Sequence, residues 1–279
     1  MNSELDQCDN LNCQLQILER FSILTRARYE TMKWTTCQQS GACFEGQNFI
    51  IQARGKWSNP VESIIVNVPL YGPTVKQNRA IGMAFGLIEN IMSELHWGKE
   101  IIFVFTEHGR HGIKCWLEAN FHSPQKCMIP NFPEIIAHSP QSGIVLEADN
   151  EYFDSVDIKM EGDLGQMTNQ DVVNVAVKIA GRLSLPVTFM KKSGPSNNED
   201  ISPLFFEQML QIGTGEGTGN HANLIRHGIH AITLQTVRTS WHTSHNCYDF
   251  RQPSGQKDDI IHFITRDWLK VFYALKIIC

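Results

Sequence analysis

The sequence predicts one α/β domain, and three observations lead to that expectation. Strand-like and helix-like segments alternate along the 279 residues, which is the pattern of a sheet covered by helices. Residues 100–106, EIIFVFT, form a nearly continuous apolar run, as expected of a strand buried on both faces. No repeat and no long linker divides the chain after residue 45. We therefore expect residues 100–106 to be a central strand of a single domain.

The first elements follow from apolar spacing and from glycine and proline breaks. β-Branched residues predict strands at 47–53 and 62–68. Apolar positions with helical spacing then predict a helix at 77–95, which ends before Gly98. The stripe of this helix includes Ile81, Phe85, Ile88 and Met92. Such a stripe is expected to pack against the sheet.

The second half of the chain continues the alternation. The expected strands lie at 143–147, 155–160, 185–189 and 231–237, the expected helices at 168–183, 201–212 and 261–275, and a loop at 213–220. Thr168 and Asp171 resemble a capping box at the start of the first of these helices. The last helix carries an apolar face made of Ile261, Ile264, Trp268, Val271, Phe272 and Leu275.

Composition and charge exclude several classes of protein. The chain has 24 basic and 29 acidic residues and a net charge of −5, so a nucleic-acid surface is not its main function. With 42% hydrophobic residues it is globular rather than disordered. No apolar run approaches the roughly 18 residues that cross a bilayer. The start, MNSELDQCDN, has neither the basic nor the apolar part of a signal peptide.

Eight cysteines leave the redox state open. No C-x-x-C pair occurs, which excludes zinc ribbons and thioredoxin-type sites. Cys8 and Cys13, and likewise Cys37 and Cys43, lie close enough in sequence to pair in an oxidising compartment. The favoured interpretation is that the cysteines are free thiols.

The first candidate site directly follows the predicted central strand. Glu107, His108 and His111 lie there, and ligands of α/β sheets usually bind at the carboxyl ends of central strands. A carboxylate and two imidazoles can ligate a metal ion or transfer protons. From spacing alone, a polar turn before the next helix is the favoured interpretation, because a metal site also needs ligands from elsewhere in the chain.

Two other constellations carry weaker signals. His242, His245 and Cys247, preceded by His227 and His230, have zinc-ligand chemistry, but no paired motif at zinc-finger spacing, so a solvated loop is favoured. Residues 213–220, GTGEGTGN, lack the G-K-[ST] ending of a P-loop and are expected to be a mobile loop. Neither a G-x-S-x-G elbow nor a Cys/His signature indicates nucleophilic catalysis.

An ordered set of segments resembles a known family. The segments are EGQNFIIQAR at 45–54, ESIIVNVP at 62–69, NRAIG at 78–82, WGKEIIFVFTEHG at 97–109 and CWLEA at 115–119, with weaker similarity at 145–149, 157–162 and 228–234. They are similar to the lumenal domain of the Gaa subunit of the glycosylphosphatidylinositol (GPI) transamidase.

The resemblance implies a fold and a cellular setting. The fold is that of M28 zinc aminopeptidases, a mixed and mostly parallel sheet flanked by helices, over residues 45–279, preceded by a helical or irregular segment at 1–44. The setting is the lumenal side of the endoplasmic reticulum membrane. The implied partners are the other transamidase subunits, including the caspase-like cysteine protease subunit, with the GPI lipid and substrate proproteins. Family members carry membrane helices before and after this domain, and no such span is visible here.

The same resemblance allows the zinc ligands to be checked. The first ligand motif falls at 66–71, VNVPLY, which offers neither a histidine nor an acid. Asn78 lies near the position of the bridging carboxylate, and Glu107-His108 replace a Glu-Glu pair. The next acid would be Glu147 or Asp149, and the late histidine His242 or His245. A two-metal site needs its bridging carboxylate, so we expect no metal site, no cofactor and no catalytic residue.

Three hypotheses follow from these observations. The leading one is a non-catalytic subunit of the GPI transamidase that scaffolds the complex or presents substrate or GPI. The second is a zinc-dependent peptidase or peptide synthetase of M28 type that uses Glu107 as general base. The third is an unrelated soluble binding domain with a decayed peptidase fold.

Overall fold

The fold is a three-layer arrangement of helices on both faces of one sheet. The computed structural model describes residues 4–5, 8, 10–37, 41–55, 58–71, 77–93, 98–121, 127–148, 153, 155–193 and 201–237. Its described helices are α1 Leu11–Thr25, α2 Asn78–Ser93, α3 Arg110–Asn120, α4 Gln170–Arg182, α5 Ile201–Thr214 and α6 His221–Arg226. The strands are β1 Arg28–Cys37, β2 Cys43–Ala53, β3 Asn59–Pro69, β4 Lys99–Thr106, β5 Cys127–Met128, β6 Pro140–Glu147, β7 Ser155–Lys159, β8 Val187–Phe189, β9 Lys192–Ser193 and β10 His230–Val237.

The described strands form one mixed sheet. Its ten strands lie in the order β5-β1-β2-β4-β3-β6-β10-β7-β8-β9. The central strands β4, β3, β6 and β10 are parallel to one another, and β7 is parallel to β8. The other pairings are antiparallel. The predicted mixed α/β sheet is confirmed.

Strand β4 shows why the apolar run predicted a central position. It lies between β2 and β3, and Ile101 to Thr106 are buried. Ile101, Phe103 and Phe105 belong to one hydrophobic core, whereas Ile102 and Val104 belong to the core on the other face. A strand that is covered on both faces needs apolar residues at every position, because successive side chains point to opposite faces.

Each core is closed by its own helices. Helices α1, α2 and α4 contribute Leu18, Ile88 and Ile179 to the first core. Helices α3 and α6 contribute Trp116 and Leu224 to the second. The predicted stripe of α2 is confirmed, since Ile81, Phe85 and Ile88 are buried and Met92 packs against them partly buried.

Strand β1 is a feature that the sequence reading missed. The segment 1–44 was expected to be helical or irregular, yet Arg28–Cys37 forms a long antiparallel hairpin with β2. Met32 and Trp34 bury their side chains in the second core, while Thr31 and Lys33 stay exposed. This alternation of apolar and polar residues is typical of a strand. The boundary between residues 44 and 45 stays a prediction.

The free-thiol interpretation is wrong for most of the cysteines. Disulfides join Cys8 to Cys13, Cys37 to Cys43 and Cys115 to Cys127. The second disulfide closes the β1–β2 hairpin, where Cys37 and Cys43 face each other in register. The third joins α3 to β5, which the 12-residue separation did not suggest. Cys247 and Cys279 lie outside the described residues.

The start of α4 differs from the expected capping box. Asn169, rather than Thr168, is the N-cap, and its side chain accepts a hydrogen bond from the N–H of Asp171 at 3.0 Å. Asparagine is at least as good an N-cap as threonine. The correct cap therefore lies one residue further along the chain.

The expected helix at 261–275 lies outside the described residues. Among the helices that are described, none is both long and apolar enough to cross a membrane.

Candidate functional site

The candidate site is built around Glu107, which follows the carboxyl end of β4. Its Oε2 accepts a hydrogen bond of 2.9 Å from the backbone N–H of Gln47 on β2. Its Oε1 lies 3.7 Å from Nε2 of His108. His108 and Gly109 both have positive φ, 56° and 49°, and form the tight turn into α3. One carboxylate oxygen is therefore used by the fold and the other faces a histidine.

The two histidines of the motif lie among aromatic rings. His108 contacts Trp34 edge-on at 6.1 Å between ring centroids. His111 stacks on Phe44 at 4.8 Å. Burial lowers the pKa of His111, and electrostatic interactions with Lys114, His108 and Arg110 lower this pKa further. Its imidazole is therefore neutral near pH 7 and acts as a packing ring.

Tyr71 is a member of this site that sequence reasoning missed. It follows the carboxyl end of β3, the parallel neighbour of β4. Burial raises the pKa of Tyr71, and the negative charge of Glu107 raises it further. The phenol therefore stays protonated at neutral pH. Parallel strands end at the same edge of a sheet, so the adjacency of β3 and β4 was the available signal.

The other positions of the expected zinc ligands serve structural contacts. Asn78 accepts a hydrogen bond from Gln14 Nε2 at 2.7 Å and donates one to the carbonyl of Leu5 at 2.8 Å. It thereby anchors the N-terminal segment to α2. Glu147 is paired with Lys159 at 2.9 Å. The neutral amide and the paired carboxylate are both poorly placed to bind a cation.

The segment 66–71, where the first zinc-ligand motif would lie, is largely buried in the hydrophobic core. Val66 and Val68 are fully buried. Asn67 between them donates hydrogen bonds to the carbonyl of Val104 and to Oγ1 of Thr106, at 2.9 Å and 3.2 Å. Side chains of this kind join neighbouring strands and leave no ligand for a metal.

The residues that the structure describes do not assemble a zinc site. In the part of the chain that the structure describes, no three His, Cys, Asp or Glu side chains come together at distances that could hold a metal. Catalytic zinc sites usually use three protein ligands. Asp149, His242, His245 and Cys247 lie outside the described residues, and the expectation that the chain binds no zinc stays a prediction.

The glycine-rich segment forms hydrogen bonds with residues that are distant in sequence. Residues 213–214 complete α5, and the loop proper begins at Gly215. Asp163 accepts hydrogen bonds from the N–H of Gly217 at 2.9 Å and from Arg110 at 2.7 Å, and Arg110 also donates to the Gly217 carbonyl. Asn220 donates to Asn67 at 2.8 Å. The expected loop is confirmed from Gly215 onward, and its mobility stays a prediction. Its partners are distant in sequence, so the local pattern did not indicate them.

Two late histidines of the described chain, His221 and His227, pack against their neighbours. His221 is buried, and one ring nitrogen, Nδ1, lies 2.7 Å from Oγ1 of Thr233. Burial lowers the pKa of His221 to about 3, with Lys159 as the next contribution, so this ring is neutral. His227 stacks on Phe121, and its pKa is lowered, first by burial and then by Arg226. His230 is exposed at the start of β10.

Fold and site together define a class of protein, the α/β domains with a zinc-exopeptidase-like fold. The structure is similar to the Porphyromonas gingivalis glutaminyl cyclase, with a TM-score of 0.60 and 10% identity over 98% of this chain and 96% of that one. It is also similar to the Legionella pneumophila LapA aminopeptidase, with a TM-score of 0.50 and 13% identity over 95% of this chain and 62% of that one. At such identities the likeness concerns the fold alone.

The sequence comparison then identifies the family. Residues 45–252 match the model of the family described as "Gaa1-like, GPI transamidase component", and the chain belongs to this family. It is 24% identical to the GPI transamidase component gaa1 of Schizosaccharomyces pombe over 243 residues. The alignment covers 84% of this chain and 41% of that relative.

Proposed function

We propose that the chain is a non-catalytic part of a GPI transamidase complex that supports the attachment of GPI anchors to proteins. The observation that carries this proposal is the family match over residues 45–252. In addition, residues at two of the expected zinc-ligand positions make structural contacts instead. Asn78 anchors the N-terminal segment, and Glu147 is paired with Lys159. In such a complex the domain would scaffold other subunits or present the substrate protein or the GPI lipid.

The proposed partners follow from the family. They are the other transamidase subunits, including the caspase-like cysteine protease subunit, together with GPI and substrate proproteins. The proposed location is the lumenal side of the endoplasmic reticulum membrane. Three disulfides support this location, because disulfides persist in the oxidising lumen and are rare in the cytosol.

Co-purification tests the proposed membership of the complex. The tagged chain is expressed in cells with an intact transamidase, the membranes are solubilised in mild detergent, and the bound proteins are identified by mass spectrometry. We expect the transamidase subunits to co-purify with the chain. A folded chain that recovers none of them would contradict the proposal and favour a separate soluble binding domain.

Metal analysis tests the non-catalytic part of the proposal. We expect the dialysed chain to contain only substoichiometric zinc and to hydrolyse no aminopeptidase substrate. Glu107→Gln is the matched control, because it keeps the size of the side chain and removes its charge. Stoichiometric zinc and peptidase activity that are both lost in Glu107→Gln would favour the alternative, a zinc-dependent peptidase or peptide synthetase with Glu107 as general base.

A further inference from the structure

The three disulfides of the described chain differ in their exposure to solvent. Cys115 and Cys127 are both buried, and Cys8, a member of the first disulfide, is buried as well. Cys37 and Cys43, at the end of the β1–β2 hairpin, are both exposed. Thiol–disulfide exchange requires a thiolate to reach a sulfur atom, so access decides which disulfide reacts. Of these three disulfides, the one in the hairpin is therefore the most open to a thiol reductant.

The end of the hairpin that this disulfide closes also contacts the candidate site. Phe44, adjacent to Cys43, stacks on His111 with ring centroids 4.8 Å apart. The N–H of Gln47, further along β2, donates the 2.9 Å hydrogen bond to Oε2 of Glu107. The cross-link thus lies one and four residues from two contacts between β2 and the site.

This end of the hairpin has fewer partners than the rest of β2. Its residues 43–47 extend past the ladder with β4, which begins at the pair Asn48–Thr106. On the other side, the two-residue strand β5 pairs with Thr35 and Thr36 of β1. Hairpins that lack neighbouring strands are marginally stable in water, so a cross-link between Cys37 and Cys43 is an effective constraint here.

The hairpin is anchored independently of the disulfide from Asn48 onward. This buried side chain accepts a 3.1 Å hydrogen bond from Nε1 of Trp34 and donates a 2.7 Å hydrogen bond to the carbonyl of Gly112 on α3. Residues 43–47 are exposed or only partly buried. Because segments with little burial open locally without global unfolding, loss of the cross-link should release 43–47 and leave 49–53 in place.

We propose that Cys37–Cys43 is a redox modification site, at which a dithiol such as the active site of a thiol–disulfide oxidoreductase reduces the disulfide and releases the hairpin end from Glu107. One thiolate of the dithiol attacks a cystine sulfur, which forms a mixed disulfide and frees the other cysteine. The second thiol of the dithiol then attacks the mixed disulfide and frees the remaining cysteine. Two electrons and two protons pass to the chain, and the dithiol becomes a disulfide.

The two redox states differ in what covers the candidate site. In the oxidised chain Phe44 lies on His111, and Gln47 occupies one oxygen of Glu107. In the reduced chain these groups become accessible to solvent and to other molecules. This inference is independent of the function proposed above, since it concerns contacts within the chain.

Stepwise reduction of the oxidised full chain with dithiothreitol tests the access of a dithiol. The freed thiols are alkylated with iodoacetamide and mapped by mass spectrometry. We expect Cys37 and Cys43 to be labelled at a lower dithiothreitol concentration than Cys115 and Cys127, because the second pair is buried. Labelling of both pairs at the same concentration would overturn the proposal.

Amide hydrogen exchange followed by NMR tests the release of the hairpin end. We expect selective reduction to speed exchange of the Gln47 N–H at least about tenfold, which corresponds to about 1.4 kcal/mol. Reoxidation should restore the slow exchange, and residues 49–53 should keep theirs throughout. Faster exchange of 49–53 to the same extent would show that the disulfide stabilises the sheet as a whole, and would overturn the proposal.

Two double variants provide a matched comparison. Cys37→Ser with Cys43→Ser removes the hairpin disulfide permanently. Cys8→Ser with Cys13→Ser removes a disulfide of similar sequence separation, five residues instead of six. Without reductant, we expect fast exchange of the Gln47 N–H in the first variant and slow exchange in the second. Slow exchange in the first variant and in the reduced chain, or equal acceleration in both variants, would contradict the proposed site.

Discussion

Oε2 of Glu107 accepts a 2.9 Å hydrogen bond from the backbone N–H of Gln47, across the β4–β2 boundary of the sheet. The acid that most resembles a catalytic residue thus also binds the backbone of β2. The same carboxylate raises the pKa of Tyr71, after the larger effect of burial. Glu107 is consequently expected to contribute to stability whether or not it has a chemical role.

Two substitutions of Glu107 distinguish the contribution of its hydrogen bond to stability from the contribution of its negative charge. Glu107→Ala leaves the Gln47 N–H without its acceptor and should lower the free energy of unfolding by about 1–3 kcal/mol. Glu107→Gln retains an acceptor oxygen and should lower it by less than about 1 kcal/mol. Urea denaturation followed by circular dichroism measures both values. Equal losses in the two variants would show that the charge, rather than the hydrogen bond, is what stabilises the fold.

Phe85 is expected to be a main support of the first core. It is buried on α2 and stacks on Phe21 of α1 with ring centroids 4.0 Å apart. Phe85→Ala should lower the free energy of unfolding by about 3–5 kcal/mol, through lost apolar contact and a residual cavity. Leu24→Ala, on the exposed side of α1, should change it by less than about 0.5 kcal/mol. Thermal melting curves compare the two, and similar melting temperatures would contradict this packing.

The ion pairs of Asp163 and Arg28 differ in solvent exposure. Asp163 is largely buried and also accepts a backbone hydrogen bond, whereas the pair of Arg28 is exposed. Asp163 binds both Arg110 and the N–H of Gly217, and its side chain is 15% exposed. Asp163→Ala should lower the free energy of unfolding by about 1–3 kcal/mol, since the N–H loses its partner. The pair Arg28–Glu134 is largely exposed, so Arg28→Ala should cost less than about 1 kcal/mol. Chemical denaturation at two salt concentrations tests this order, and a larger loss in Arg28→Ala would refute it.

His221 predicts a pH dependence of stability. Its pKa is lowered to about 3 in the folded chain, chiefly by burial, whereas an unfolded histidine titrates near 6.5. The unfolded state therefore binds more protons between these values. The stability from neutral His221 is fully present above about pH 6.5 and decreases as the pH falls toward 3, by up to about 1.4 kcal/mol per pH unit.

His221→Asn isolates this contribution. The amide nitrogen of asparagine can take the place of Nδ1 beside Thr233, and it does not titrate. Denaturation of both chains at pH 7, 6 and 5 gives the two slopes. A wild-type slope no steeper than that of the variant would show that His221 does not stay neutral in the fold.

The local sequence pattern predicted a strand or helix correctly where apolar residues dominated the segment or one of its faces. The apolar run at 100–106 predicted β4 because both faces of that strand are covered. The stripe of Ile81, Phe85 and Ile88 predicted α2 because one face of that helix meets the core. Strand β1 was missed since its alternation begins only near Met32, among threonines and charged residues.

The sequence by itself determined the family, the alternating α/β order and the absence of an acid or histidine at 66–71 and at Asn78. These properties depend only on which residues stand where along the chain. Tertiary structure alone decided that Tyr71 joins Glu107, that Cys115 pairs with Cys127, and that Asn220 reaches Asn67 across 153 residues. Such contacts arise when parallel strands end at a common edge and when helices return over the sheet. Their partners are distant in sequence, so no local spacing records them.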